Sequence, residues 1–167
     1  MNSLFERRSI RKFKNKPVEN TLIKQVLKAG MCAPSACNSK PWHFIVIDDR
    51  QILDQIPKFH NYAQMVKESP VAILVCAQPS NEKIKGFWPQ DCAAATQNIL
   101  VEAVEKGLGT VWVGVHPNEQ FEKDFRELLD IPKDIVPFAL IPMGYPDEHK
   151  GINDRYLEER VHQNKWQ

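Results

Sequence analysis

The chain has 167 residues, 43% of them apolar and 26% charged, a size and balance that give one globular domain with its own core and no need of disulfide staples. A formal net charge of +1 offers no bulk field for nucleic acid or a membrane surface, and no apolar run approaches the ~20 residues that span a bilayer. Cys32, Cys37, Cys76 and Cys92 lack C-x-x-C or zinc-type spacing and, with no signal-peptide pattern at the start, read as reduced thiols of a cytoplasmic protein.

Ser3-Leu-Phe-Glu6 has the form of a capping box and predicts a short helix from near Leu4, with residues 9–13 extended beyond it. This stretch is basic: Arg7, Arg8, Arg11, Lys12, Lys14 and Lys16 stand against Glu6. Arg7, Ser9 and Arg11 alternate along the extended part and so point the same way. Two guanidinium groups flanking a hydroxyl suit a phosphate, the alternative being a solvated basic face. Asn20 is the expected N-cap of a helix that buries Leu22, Ile23, Val26, Leu27 and Met31. Residues 33–44, A-P-S-A-C-N-S-K-P-W-H-F, then join that helix to a strand over 42–48. Pro34 and Pro41 stiffen this loop, while Ser35, Asn38 and Ser39 hold short donors and acceptors close to the backbone. It suits a flat, heteroatom-rich ligand, or it is a rigid connector; the residues by themselves leave both open.

Short helices are expected over 51–55, stopped by Pro57, and over 62–67. Val71–Ala77, V-A-I-L-V-C-A, is a continuous apolar run and predicts a strand buried on both faces. Residues 80–89 read as an exposed excursion or lid carrying Phe87 and Trp88. The Ala-rich stretch 91–106 predicts a central helix ended by Gly107, followed by a strand over 110–115. Asn118 is expected to cap a helix through Phe121, Phe125, Leu128 and Leu129 to Ile131-Pro132. Residues 135–143 are β-like, but Pro137 and Pro142 argue for an edge strand or for pairing on one side only. The polar tail holds Tyr156, Leu157, Val161 and Trp166, too much apolar surface for a free segment. The five histidines show no metal spacing, and no Ser-His-Asp or Cys-His arrangement stands out, so no catalytic side chain and no metal is expected. His43 reads as structural and Cys37 as an inert thiol.

Arg7-Arg8-Ser9-Ile10-Arg11 followed by A-P-S-x-x-N-x-x-P-W resembles the nitroreductase family, the FMN-dependent NAD(P)H oxidoreductases, and the likeness continues through residues 91–114 and 144–166. The fold expected is α+β, a mixed, mostly antiparallel sheet of four or five strands covered by helices. The resemblance implies one domain over 1–167 and an obligate homodimer, with the tail 151–167 packed on the partner and two FMN sites lined by both chains. It implies that Arg7, Arg8 and Ser9 contact the FMN phosphate and ribityl chain, with Arg155 closing on the phosphate; a companion lysine of the family reads Asn153 here. Arg11 would be the cation at N1 and O2 of the reduced flavin. Asn61 matches a family asparagine at the flavin's polar edge, and Gln64 stands where a second basic group is usual. Pro34, Ser35, Ala36 and Asn38 would reach the isoalloxazine of the neighbouring subunit, Ala36 through its backbone where the family carries Ser. Trp112, Val113 and Gly114 match the strand end beside the central ring, with the Gly114 N–H expected on N5 and Val113 replacing a common glutamate. The implied activity is ping-pong transfer from NADH or NADPH to a nitroaromatic, quinone or other electrophile. The alternatives are a flavin store or sensor without turnover, and an offshoot that uses FMN for dehalogenation or dehydrogenation.

Overall fold

The computed structural model describes residues 3–152 and 154–166. Its sheet is built from β1 (Trp42–Ile47), β2 (Val71–Ala77), β3 (Gly109–Thr110), β4 (Val113–Gly114) and β5 (Val136–Gly144). β2 is buried at every residue, as its unbroken apolar run requires, because it pairs antiparallel with β1 on one side and β5 on the other. β3 and β4 both pair antiparallel with the far side of β5. A single parallel bridge, Ser9 to Thr110, makes the sheet mixed, and the α+β expectation is met.

Helices α1 (Ser3–Glu6), α2 (Asn20–Met31), α3 (Arg50–Leu53), α4 (Ile56–Phe59), α5 (Trp88–Glu105) and α6 (Glu119–Leu128) cover the sheet. Alternation along β2 splits the core in two. Val71, Ile73, Val75 and Ala77 face α2 and α5, where Val26, Ala95 and Ile99 pack. Ala72, Leu74 and Cys76 face the other layer, with Ile56 of α4 and Phe125 of α6. Gly107, at φ +71°, ends the long helix by left-handed capping as expected. Asn118 caps α6 by accepting from Phe121 N at 3.0 Å.

Several boundaries differ from the sequence expectation. β5 is an inner strand despite its prolines, and the predicted 110–115 strand is broken into β3 and β4. One cause serves both. The Pro142 carbonyl accepts from Val111 N at 3.4 Å, so Pro142 faces the β3 and β4 side, where its missing N–H opens the ladder between Thr110 and Val113. Pro137 sits at the register shift beside Cys76, which skips Phe138. Pro57 opens α4 instead of stopping a helix, being tolerated in a first turn. Glu19, not Asn20, holds the N-cap position of α2. Ser3 Oγ donates to the Glu105 carboxylate, tying α1 to the end of α5 instead of forming a capping box. Residues 80–87 are largely exposed, the excursion expected, and one carboxylate shapes their end. The Glu82 carboxylate accepts from Gly86, Phe87 and Trp88 N at 3.0, 3.1 and 3.2 Å, which folds the segment onto the start of α5.

Candidate functional site

The basic N-terminal stretch is held against the β3 edge by backbone pairing. Ile10 N donates to Thr110 O and Lys14 N to Tyr145 O, each at 2.9 Å, and Asp147 N donates to Lys12 O at 2.9 Å. Two glycines let it come this close. Gly109 and Gly144 stand opposite each other, and a Cβ on Gly109 would meet Ile10 Cγ2 at 2.7 Å, while one on Gly144 would meet Pro70 Cδ at 2.7 Å and Phe13 Cδ1 at 3.1 Å. Ile10 and Phe13 are buried as a result, and the residues between them turn outward.

At one end of this edge the cations gather. The Arg7 guanidinium is held below its usual value first by burial, then by the charges of Arg155 and Arg8. Residues 148 in sequence apart are thereby brought to one place, and among the described residues none of the three has a carboxylate partner. Arg8 Nη1 donates to Gly151 O, which anchors the approach to Arg155. Lys150 Nζ donates to Ser9 O at 2.6 Å and lies 3.3 Å from Glu148, which in turn accepts from Arg11 N at 2.5 Å. The Glu148 carboxyl is therefore held below the ordinary carboxylate range, by the Arg11 N–H first and with help from Lys150. Lys150 and Glu148 carried no signal in the sequence, because their partners come from the other end of the chain.

Further along the same edge lies a cavity of about 410 Å³, lined by Arg11, His60, Tyr62, Trp112, Gly114 and His116 among others. Val111 N and Val115 N turn inward to β5 carbonyls, so by strand alternation the polar groups of Gly114 turn outward. Its carbonyl accepts from His60 Nε2 at 2.9 Å, and its N–H leaves the strand on that same side. No atom lies within 4 Å of where a Gly114 Cβ would stand, so a flat group can approach this backbone. His60 is 1% exposed and stacked on Phe121 at 4.0 Å, with Nδ1 unpartnered. His116 Nδ1 lies 2.7 Å from Glu122 Oε1. Neither histidine could be assigned from spacing.

The other predicted residues divide. Asn61 is exposed and begins the 3-10 turn Asn61–Lys67, between His60 and Tyr62 of the cavity wall. Gln64 Nε2 instead donates to Pro57 O at 2.9 Å, which commits it to the backbone. Trp112 is partly buried and packs on Phe138 with ring centroids 6.0 Å apart. Val113 is 4% exposed, so its side chain belongs to the core, and by the same alternation its backbone polar groups face β5 with those of Val111 and Val115, which corrects the expected contact. Asn153 lies outside the described residues. Tyr156, Leu157, Val161 and Trp166 of the tail are all exposed on the single chain.

The loop with Pro34, Ser35, Ala36 and Asn38 is not brought to this cavity within one chain. It precedes β1, at the sheet edge opposite β4, with β2 and β5 between. Three strand spacings amount to roughly 14 Å. The loop is firmly shaped: Cys37, Asn38 and Lys40 take φ of 50°, 56° and 48°, and Ala36 N donates to the buried Asp91 at 2.9 Å. Cys37 and Cys32 are exposed, whereas burial pushes the Cys76 and Cys92 thiols up to about 12.

Along one sheet edge this α+β domain carries a cation cluster without carboxylate partners among the described residues, and beside it the cavity at Gly114. Residues 4–69 and 58–145 match the model of the nitroreductase family, and the chain belongs to that family. A Methanothermobacter thermautotrophicus protein provisionally named NADH dehydrogenase/NAD(P)H nitroreductase is 50% identical over 96% of this chain and 84% of its own length. An FMN-dependent nitroreductase from Clostridium difficile has a similar structure, with a TM-score of 0.91 and 30% identity over 99% of both chains. A nitroreductase-type protein from Desulfovibrio desulfuricans, solved in complex with FMN, has a TM-score of 0.84 and 28% identity over 99% of this chain and 96% of that one.

Proposed function

We propose that the protein is an FMN-dependent oxidoreductase that carries electrons from NADH or NADPH to a nitroaromatic, quinone or other electrophilic acceptor. The observation that carries this reading is the Arg7, Arg8 and Arg155 cluster, without carboxylate partners among the described residues, on the same edge as the outward Gly114 amide. Cations packed so closely repel, and a phosphate dianion relieves that repulsion through charge-assisted bonds. The names of the relatives support the cofactor and the nicotinamide donor.

FMN fits these residues. Arg7, Arg8, Ser9 and Arg155 hold the phosphate and ribityl end, and Lys150, through Ser9 O, fixes that segment in place. Arg11 supplies positive charge at the pyrimidine end, Asn61 a polar contact, and the backbone of Trp112 and Gly114 the edge of the ring. When bound, FMN supplies the reversible two-electron step, so the protein's task is to bind, orient and stabilise charge. The loop of Pro34, Ser35, Ala36 and Asn38 serves the ring of a second copy, since the sheet keeps it from its own chain's cavity. The functional unit is thus a homodimer working in the cytoplasm, its tails crossing between subunits; among the described residues no helix is long and apolar enough to cross a membrane.

Steady-state kinetics with NADH and a soluble quinone, both varied, test the reading. Parallel double-reciprocal lines are expected, because donor and acceptor take the same place in turn. Lines that intersect would refute alternating occupancy, and absence of turnover with any acceptor would refute the oxidoreductase.

A further inference from the structure

We propose that His116, held in place by Glu122, donates a proton to the acceptor when the acceptor is reduced; the inference rests on the oxidoreductase reading above. His116 lines the cavity that holds Gly114 and Arg11, at the end of β4. Three contacts fix its ring. Nδ1 lies 2.7 Å from Glu122 Oε1 on α6, the Trp88 ring packs at 4.6 Å between centroids, and Phe138 stacks at 6.3 Å with planes 29° apart. The side chain is 27% exposed, and Nε2 has no partner among the described residues and is not among the buried unpartnered atoms. The ring therefore presents one free nitrogen while a carboxylate holds the other, the arrangement that orients a histidine for proton transfer and stabilises its cation.

The neighbouring titratable groups do not fit the role. His60 is buried, its Nε2–H is given to the Gly114 carbonyl, and its Nδ1 is sealed from solvent. Arg11 is a guanidinium and gives up no proton. Tyr62 stands 75% exposed on the outer lip. Glu122 is the charged group bonded to the His116 ring.

The chemistry needs such a donor. A quinone becoming a hydroquinone gains two electrons and two protons. When bound, the reduced cofactor would supply two electrons and one proton to one oxygen. The other oxygen takes the second proton from His116 Nε2–H, so both C=O bonds become C–O–H. The imidazole left neutral regains its proton from solvent.

The test reduces the flavin-loaded protein anaerobically with NADH and follows reoxidation by a soluble para-quinone in rapid mixing. In His116→Ala, reoxidation should slow about 100-fold, far more than reduction does, and added imidazole should restore much of the rate. His116→Gln keeps most of the packing volume, and it should show the same slow reoxidation without rescue. Glu122→Gln should lie between. A separate readout needs no turnover. In protein stripped of cofactor, proton NMR should show a low-field Nδ1–H resonance that both His116→Ala and Glu122→Gln lose. Reoxidation of His116→Ala within about twofold of the native rate, or slow reoxidation of His116→Ala that imidazole does not rescue, would overturn the proton-donor role alone. A native flavin that neither NADH nor NADPH reduces would instead remove the oxidoreductase reading, and this role with it.

Discussion

Arg7 concentrates the charge at the site: partly buried, beside Arg155 and Arg8, and without a carboxylate partner among the described residues. Arg7→Ala and Arg155→Ala should each weaken FMN binding by about 1.5–3 kcal/mol, the worth of a charge-assisted bond, read as a roughly ten- to hundredfold rise in Kd by fluorescence titration. Unchanged affinity in either variant would remove that residue from the phosphate site. Glu148 sets a pH limit. Its folded carboxyl titrates below the unfolded value of about 4.3, so the anion stabilises the fold above that value and the contribution fades as pH falls through the lower folded one. Acid titration of thermal stability should therefore show a steeper loss below about pH 4 in the native protein than in Glu148→Gln. Equal slopes would mean the Arg11 contact contributes nothing in solution. The basic character of residues 7–16 was legible in the sequence because it is written in composition. His60, His116, Glu148 and Lys150 were not, since each gains its partner only through the fold: Gly114 is 54 residues from His60, and Ser9 is 141 from Lys150.

At the scale of elements, two bare glycines seat the basic N-terminal stretch against the sheet edge. Gly144→Ala would drive a Cβ against the Pro70 and Phe13 rings, and neither ring has a flexible far end that could swing aside. We expect about 1–3 kcal/mol of destabilisation by denaturant unfolding, together with weaker FMN binding, because Phe13 anchors residues 9–14. A variant as stable as the native protein would show that the edge can shift without cost. The long apolar run of β2 and the Ala-rich α5 were readable because their burial is written in composition. β5 was misread because the proline rule describes lost ladder bonds, and here the losses fall where the ladder is already interrupted, at the β3–β4 break and the Phe138 bulge. Glu82 was missed for a related reason. A carboxylate that collects three successive amides looks, in sequence, like one more charge on an exposed loop.

At the scale of the molecule, the loop of Pro34 and the edge of Gly114 stand on opposite margins of one sheet, and Tyr156, Leu157, Val161 and Trp166 lie exposed. The proposed second copy would account for both observations. Burying two or three of those tail side chains would contribute roughly 1.5–3 kcal/mol each, and the same docking would fix Arg155. Deleting the chain after Gly151 should give monomer or insoluble protein and lose FMN at the same step, as sedimentation and absorbance would show. A monomeric truncate retaining stoichiometric FMN would dismiss the shared site.

Whether this molecule is a working oxidoreductase is decided most directly by mixing the purified yellow protein with NADH, and separately with NADPH, in the absence of oxygen. The visible flavin absorbance should bleach promptly with at least one of them and return when a quinone is added. Colour that persists with both nucleotides would contradict the assignment and leave a protein that holds flavin without using it.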